Sequence, residues 1–310
     1  MFNKGKISRL QERKPAAEGS FVEQFPMFVM VAPFVIFFFI FTIIPIFSSI
    51  FFSLTSYDMI SAPNFVGLDN YRRLIANDPD FMVTVKNTFF FAVVAGPLGF
   101  LLAFLLAWLV NEFTPTIRAF LSFMFYAPSL VGNAYFIWQV AFSGDSYGYI
   151  NSALLSLGLL SEPIQWFKDP QYVTGIVIVV QLWMSMGISF LANISGLQNV
   201  NPEMYEAGCI DGIKNRWAEL WYITMPSMKS ILLFGAVMQI QSSFSIGAVV
   251  TALAGFPSVN YSVDTLVTLL MDVGTSRYEM GYAAALSVFL FALMAVARVL
   301  IGKVLDAIGK

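Results

Sequence analysis

Two clusters of amides and hydroxyls sit inside otherwise apolar stretches of this chain. Gln181, Ser185, Ser189 and Asn193 recur every four residues, which puts them on nearly one face of a helix. Gln239, Gln241, Ser242, Ser243 and Ser245 crowd the middle of a second apolar stretch. At about 1.5 Å rise per residue, Gln181, Ser185 and Ser242 fall near the mid-depth of any bilayer these stretches cross, where an unpaired polar group is costly. They must therefore face protein, water or a solute. Amides and hydroxyls both donate and accept hydrogen bonds, so the chemistry they offer is reversible binding. Bond-making chemistry has few carriers. The chain has no His and a single Cys, Cys209, which removes His-based triads, His/Cys zinc sites and internal disulfides together. No Asp pair lies in the apolar stretches, and no G-x-x-x-x-G-K-[ST] loop exists to cradle nucleotide phosphates. The chain is expected to bind no metal and no cofactor of its own, and to be no enzyme.

The elements that must position these groups are membrane spans. Of 310 residues, 58% are hydrophobic and 12% charged, where soluble domains run nearer 45–50% and about 25%. The 32 Phe, 12 Tyr and 6 Trp suit lipid-facing surfaces and interfacial belts. A net charge of −2 excludes a basic nucleic-acid binder. A bilayer core about 30 Å thick needs about 20 apolar helical residues, and the sequence predicts six such spans, at residues 26–54, 87–110, 119–142, 172–191, 231–254 and 281–301. The first is too long for a signal-peptide core and is expected to be retained, kinked at Pro33 and Pro45. Lys and Arg divide unevenly between the two sides. One side holds Lys4, Lys6, Arg9, Arg13, Lys14, Arg118, Lys214, Arg216, Lys229, Arg298, Lys303 and Lys310; the other holds only Arg72, Arg73, Lys86, Lys168 and Arg277. The positive-inside rule then predicts both termini in the cytoplasm, as an even number of spans requires. The expected organisation is a cytoplasmic tail over 1–25, one membrane domain over 26–302 and a short cytoplasmic tail over 303–310.

The loop over residues 198–229 is polar yet patterned as helix. Asn201 suits an N-cap, Pro202 the first helical position, and Glu203 the positive end of the dipole. Gly212 ends a short helix, and Trp217, Leu220, Trp221 and Ile223 follow as an amphipathic stretch closed by Pro226. A helix lying across the end of a bundle presents side chains to a partner outside the membrane.

The same loop carries Glu206-Ala207-Gly208, Asp211-Gly212-Ile213, Trp217 and Ile223-Thr224-Met225-Pro226. These resemble the EAA loop of ATP-binding-cassette importer permeases, with Gly208, Ile213 and Met225 departing from its commonest residues. The stretch Phe65-Val66-Gly67-Leu68-Asp69-Asn70-Tyr71 is similar to the segment after the first span in sugar permeases of the maltose and glycerol-phosphate uptake type, and Gly255-Phe256-Pro257 to their Gly-Gly-Pro turn. The resemblance implies an all-α, six-span permease subunit of a bacterial inner membrane, importing a sugar or oligosaccharide by alternating access. It implies a second permease, two ATPase subunits that carry ATP and magnesium, and an external solute-binding protein. Glu206, Ala207, Gly208, Asp211, Gly212, Trp217 and Pro226 would then form the coupling site for the ATPase, and Gln181, Ser185, Ser189, Gln241, Ser242 and Ser245 the substrate pathway. Tyr135 or Trp138 would offer an aromatic face to a sugar ring.

Blander roles stand beside these. Small polar residues also let helices pack closely, Tyr135 and Trp138 are more readily packing residues, and Cys209 is a small packing residue. Asp58, Asp69, Asp78 and Asp80 are outer-loop acids, either solvated or touching the binding protein. The alternative functions are a permease for another small solute such as glycerol phosphate, or a channel or membrane sensor, whose charged pore ring or signalling domain the sequence lacks.

Overall fold

The computed structural model describes residues 21–308, and side chains within 28–303. Lys4, Lys6, Arg9, Arg13, Lys14 and Lys310, which weigh in the orientation, lie outside the described residues. The chain forms two units, Met1–Phe51 and Phe52–Lys310.

In the first unit, helix α1 runs as Phe21–Phe38, a π-helical turn Phe39–Ile43 and Ile44–Phe52. The wide turn precedes Pro45, whose ring and missing N–H cannot continue a regular α-helical ladder. Pro33 sits inside helix without a break. Stacked pairs Phe34–Phe38 and Phe37–Phe41 follow the i, i+4 geometry of one helix face.

The second unit opens on a two-residue hairpin, β1 (Thr55–Ser56) against β2 (Asn64–Phe65), antiparallel with Thr55 opposite Phe65. Then come α2 (Asp69–Arg72), α3 (Pro79–Asn111), α4 (Pro115–Leu130), α5 (Phe136–Ala141), α6 (Tyr149–Ser156), α7 (Pro170–Asn199), α8 (Pro202–Ile210) and α9 (Arg216–Ser227). The chain closes with α10 (Lys229–Phe244), α11 (Gly247–Ala254), α12 (Leu266–Ser276) and α13 (Met280–Ile308). One local device starts three of these helices. Asp78, Asp169 and Asn201 each stand before a proline, and each accepts a hydrogen bond from the amide two residues on, at 3.0, 2.9 and 3.1 Å. The proline needs no donor at the first helical position, and the cap satisfies one that would be orphaned.

Among the described residues, four helices are long and apolar enough to cross a membrane, Phe28–Phe52, Pro79–Asn111, Pro170–Asn199 and Met280–Lys303, or five if the bent pair α9 and α10 counts as one. Two expected spans are therefore corrected in form. The stretch 119–142 is not one helix: α4 ends at Leu130, Val131 is extended (φ −94°, ψ 99°), and α5 restarts at Phe136. Pro128, in the last turn of α4, lacks the N–H that would hold that turn. The stretch 231–254 breaks at Ser245 (φ −94°, ψ 17°) before α11, after a run in which Ser243 Oγ donates to the carbonyl of Gln239.

α7 packs against α3, α4 and α10, and α3 also against α10. Three apolar clusters divide this core along its length. At one end Ala103, Ala107, Phe190, Ile194 and Leu197 meet Leu220, Ile223 and Met228 of the 198–229 loop. In the middle Phe91, Val173, Val177 and Val180 meet Ile246, Val250 and Leu253. At the other end Leu74, Phe81, Leu266, Leu269 and Leu286 close the bundle. Glycines set the closest approaches: a β-carbon at Gly99 would fall 1.9 Å from the Gln239 amide, and one at Gly281 would fall 2.0 Å from the Thr55 carbonyl oxygen.

Candidate functional site

The polar stripe and its counterpart meet across the α7–α10 seam. Gln181 Nε2 donates to the carbonyl and Oγ of Ser242, both at 3.1 Å. Gln239 Nε2 donates to Ser185 Oγ, and Ser189 Oγ to the carbonyl of Gly235 at 3.0 Å. One turn further, Asn193 is buried with neither amide atom paired among the described residues, and Gln239 Oε1 is likewise unpaired. Gln181 and Ser189 are buried, Ser185 and Ser242 half-buried, and Gln241 and Ser245 exposed.

A cavity of about 380 Å³ opens along this seam. All six residues singled out in the sequence, Gln181, Ser185, Ser189, Gln241, Ser242 and Ser245, line it, together with Ser129, Met184, Ile188, Met238 and Val249. Small-molecule sites span about 300–1,000 Å³ and pair apolar walls with a few converging polar groups, which is the composition found here. The stripe residues differ in their hydrogen bonding. Gln181 and Ser189 bond across to α10, while the side chains of Gln241 and Ser245 are exposed and make no hydrogen bond among the described residues. Ser129 was not anticipated; it faces Gly187, where a β-carbon would sit 1.9 Å from its Oγ, and a lone Ser in an apolar run carries no periodic signal. Trp138 packs against Phe142 and Trp183, and Tyr135 donates its OH to Asn133; neither lines the cavity. Trp166 and Tyr172 meet edge to face at 5.3 Å, and Trp166 Nε1 donates to the buried Asn151.

At the end of the bundle that carries loop 198–229, α8 and α9 lie side by side. Gly208 is the buried contact of α8: a β-carbon there would meet Ile223 Cδ1 at 2.5 Å, which explains glycine at that place. Gly212 has φ +92°, a conformation natural to glycine. Tyr205 and Thr224 hydroxyls meet at 3.0 Å. Arg216 bridges Glu219 at 2.6 Å and also Glu112 beyond the end of α3, and these bonds, to Glu219 first, raise the guanidinium pKa above its ordinary value. Trp217 rests on Trp108 at 5.1 Å. Glu206, Ala207, Asp211, Gly212, Trp217 and Pro226 are exposed, whereas Gly208, Ile223 and Thr224 of the same motif are buried. α9 and α10 meet at 85°.

At the opposite end, the Gly67–Tyr71 motif is a clamp. Gly67 takes φ +61°, Asn70 Nδ2 donates to the carbonyls of Ser53 and Thr55, and Tyr71 OH donates to Ser53 Oγ. Asp78 caps α3 and accepts from Tyr282 OH, while Asp58 closes a turn on the amides of Ile60 and Ser61, which hold its carboxyl below the ordinary pKa. Asp264 is buried and accepts from Ser258 N and Oγ. Burial nevertheless pushes its pKa up.

A helical bundle with this seam, cavity and exposed helix pair has the fold of the membrane subunits of ATP-binding-cassette importers. The chain aligns with the structure of a bacterial importer of the acidic polysaccharide alginate at TM-score 0.77 and 21% identity, covering 93% of this chain and 98% of that one. A second structure, of the alginate transporter in complex with an alginate pentasaccharide-bound periplasmic protein, aligns at TM-score 0.78 and 20% identity, over 93% and 96% of the two chains. Residues 95–308 match the family of binding-protein-dependent transport system inner membrane components, and the chain belongs to that family. It is a multi-pass inner-membrane permease component and not an ATPase. The probable permease protein YesP of Bacillus subtilis is 30% identical over 84% of each chain. The lactose permease protein LacF of Rhizobium radiobacter is 32% identical over 67% of this chain and 69% of its own. The arabinooligosaccharide permease protein AraP of Bacillus subtilis is 30% identical over 85% and 83%.

Proposed function

We propose that the chain is one of two permease subunits of an ATP-driven importer of a sugar or oligosaccharide, acting by alternating access. The observation that carries this is the convergence of six amide and hydroxyl residues, from α7, α10 and the break at Ser245, on one cavity of about 380 Å³. Groups that both donate and accept match sugar hydroxyls, and relatives are named for lactose and arabinooligosaccharides.

In this reading the chain crosses the membrane six times, the broken stretches 119–142 and 231–254 each counting as one span. Both tails, 1–25 and 303–310, lie in the cytoplasm, flanking a membrane domain over 26–302. Loop 198–229 is the coupling element: Glu206, Ala207, Asp211, Gly212, Trp217 and Pro226 present a docking surface to an ATPase pair that carries ATP and magnesium, and Gly208 packs that surface onto α9. Ile223 and Leu220 tie α9 to the core, so motion of the docking surface moves α10 and with it one wall of the cavity. A second permease closes the pathway, and an external binding protein delivers cargo. This chain holds no cofactor.

The test is Leu at Ser185 and at Ser242. A pathway role predicts lower sugar uptake with basal ATP hydrolysis and assembly retained. If the residues act only as packing, the larger side chains separate α7 from α10 and the recovered complex declines first. Full uptake with both substitutions together contradicts the assignment.

A further inference from the structure

We propose that the groove between α10 and α13 binds one anionic phospholipid, with the phosphate on Arg298 and an acyl chain along the apolar walls. The groove, about 540 Å³, is walled by Ile240, Gln241 and Phe244 on α10 and by Phe291, Met294 and Ala295 on α13, apolar but for the Gln241 amide. Arg298 is the one charged residue in its lining. Its side chain is exposed, and it forms no salt bridge among the described residues.

Charge and depth select the occupant. Around Arg298, α13 exposes Phe291, Val296, Val299 and Leu300, a surface made for hydrocarbon, where a guanidinium without a counter-charge is expensive. Arg298 stands five residues before Lys303, about 7–8 Å along the helix, so its long side chain reaches the phosphate layer on the Lys303 side by snorkelling. The walls continue from Arg298 back to Phe291, about 10 Å deeper, the direction an acyl chain takes from its headgroup. The planar guanidinium fork donates to two phosphate oxygens at once, and basic pockets between spans suit anionic headgroups. A choline headgroup brings its own cation to the same phosphate and gains less. The proposal needs α13 in a bilayer, which family membership supplies; Gln241 borders both this groove and the α7–α10 cavity, and the lipid preference does not depend on which cargo is carried.

The test uses the full chain purified from membranes with its associated subunits into nanodiscs holding phosphatidylglycerol and phosphatidylcholine with matched acyl chains. Lipid retained by the complex is counted by mass spectrometry. The native protein should prefer phosphatidylglycerol by about fivefold, the value of one well-placed cation. Arg298→Gln should lose that preference, while Ala295→Phe, which fills the groove and keeps the cation, should lose retention of both lipids. Equal retention by the native protein, or an unchanged preference in Arg298→Gln, overturns the proposal. So does thermal stabilisation by inorganic phosphate equal to that by the lipid, which assigns Arg298 to a free anion. High-yield disulfide capture of a Cys at Met294 by the second permease would also overturn it, since protein would then cover the groove.

Discussion

Gly281 and Gly208 show how a single missing β-carbon decides a contact. At Gly281 the obstacle is backbone, the Thr55 carbonyl oxygen at 2.0 Å, and Gly281 N donates to the Tyr57 carbonyl. At Gly208 it is the far end of the Ile223 side chain, which can rotate. Gly281→Ala should therefore destabilise the protein by about 1–3 kcal/mol, the usual range for overpacking, and Gly208→Ala by less. Thermal unfolding of the two variants in one detergent checks the order, and equal midpoints would contradict it. Asp264 supplies a pH dependence. Its pKa is raised by burial, so the folded protein binds a proton more readily than the unfolded chain does. Stability should rise as pH falls through that raised value and level off below the ordinary carboxylate value near ~3.9. Asp264→Asn should flatten this rise in a series of unfolding midpoints against pH, and an undiminished slope would assign it to other groups.

Among the elements, the α8–α9 pair is fixed from several sides: capped by Asn201 and Asn215, packed through Gly208 and Ile223, and bridged to the end of α3 through Arg216 and Glu112. The Arg216 bridges are exposed, so Arg216→Ala should change stability by less than about 1 kcal/mol. If the pair transmits motion, the same variant should still lower cargo-stimulated ATP hydrolysis, because the ionic tie between α9 and Glu112 at the end of α3 would be lost, leaving only the apolar packing of Trp217, Leu220 and Ile223. Glu206→Lys changes only the exposed face and should weaken ATPase association in pull-down while the subunit inserts normally. Normal stimulated turnover in both variants would remove the docking role from this pair. Its helices were legible because capping and the Asp211-Gly212 stop are local signals. The break after Leu130 was not, since hydropathy runs unbroken across it and the deciding features, Pro128 and the extended Val131, act on backbone geometry rather than on polarity.

For the whole molecule, the proposed orientation rests on cations distributed over many loops, and it would tie the 198–229 surface to the compartment that holds ATP. Cysteines placed at Ser61 and Ser161 should react with an impermeant reagent in intact cells, and one at Asn215 should not. The reverse pattern would turn the subunit over and detach α8 and α9 from any ATPase.

Composition and periodicity alone established that lipid is the main solvent, that the chain lacks His and a G-x-x-x-x-G-K-[ST] loop, and that the 198–229 loop carries helices. Those properties follow from residue types and short-range geometry. Spacing also placed Gln181, Ser185 and Ser189 on one face. Only the tertiary structure decided which of them pair with α10, because a hydrogen bond such as Gln181 to Ser242 joins residues 61 apart in the chain. It alone also gave a cavity its size, brought Ser129 to its wall, and set Arg298 beside an apolar groove. Such contacts depend on how closely helices approach, and that is fixed by glycines at crossing points such as Gly99 and Gly187, whose effect appears only once the opposing side chain is known.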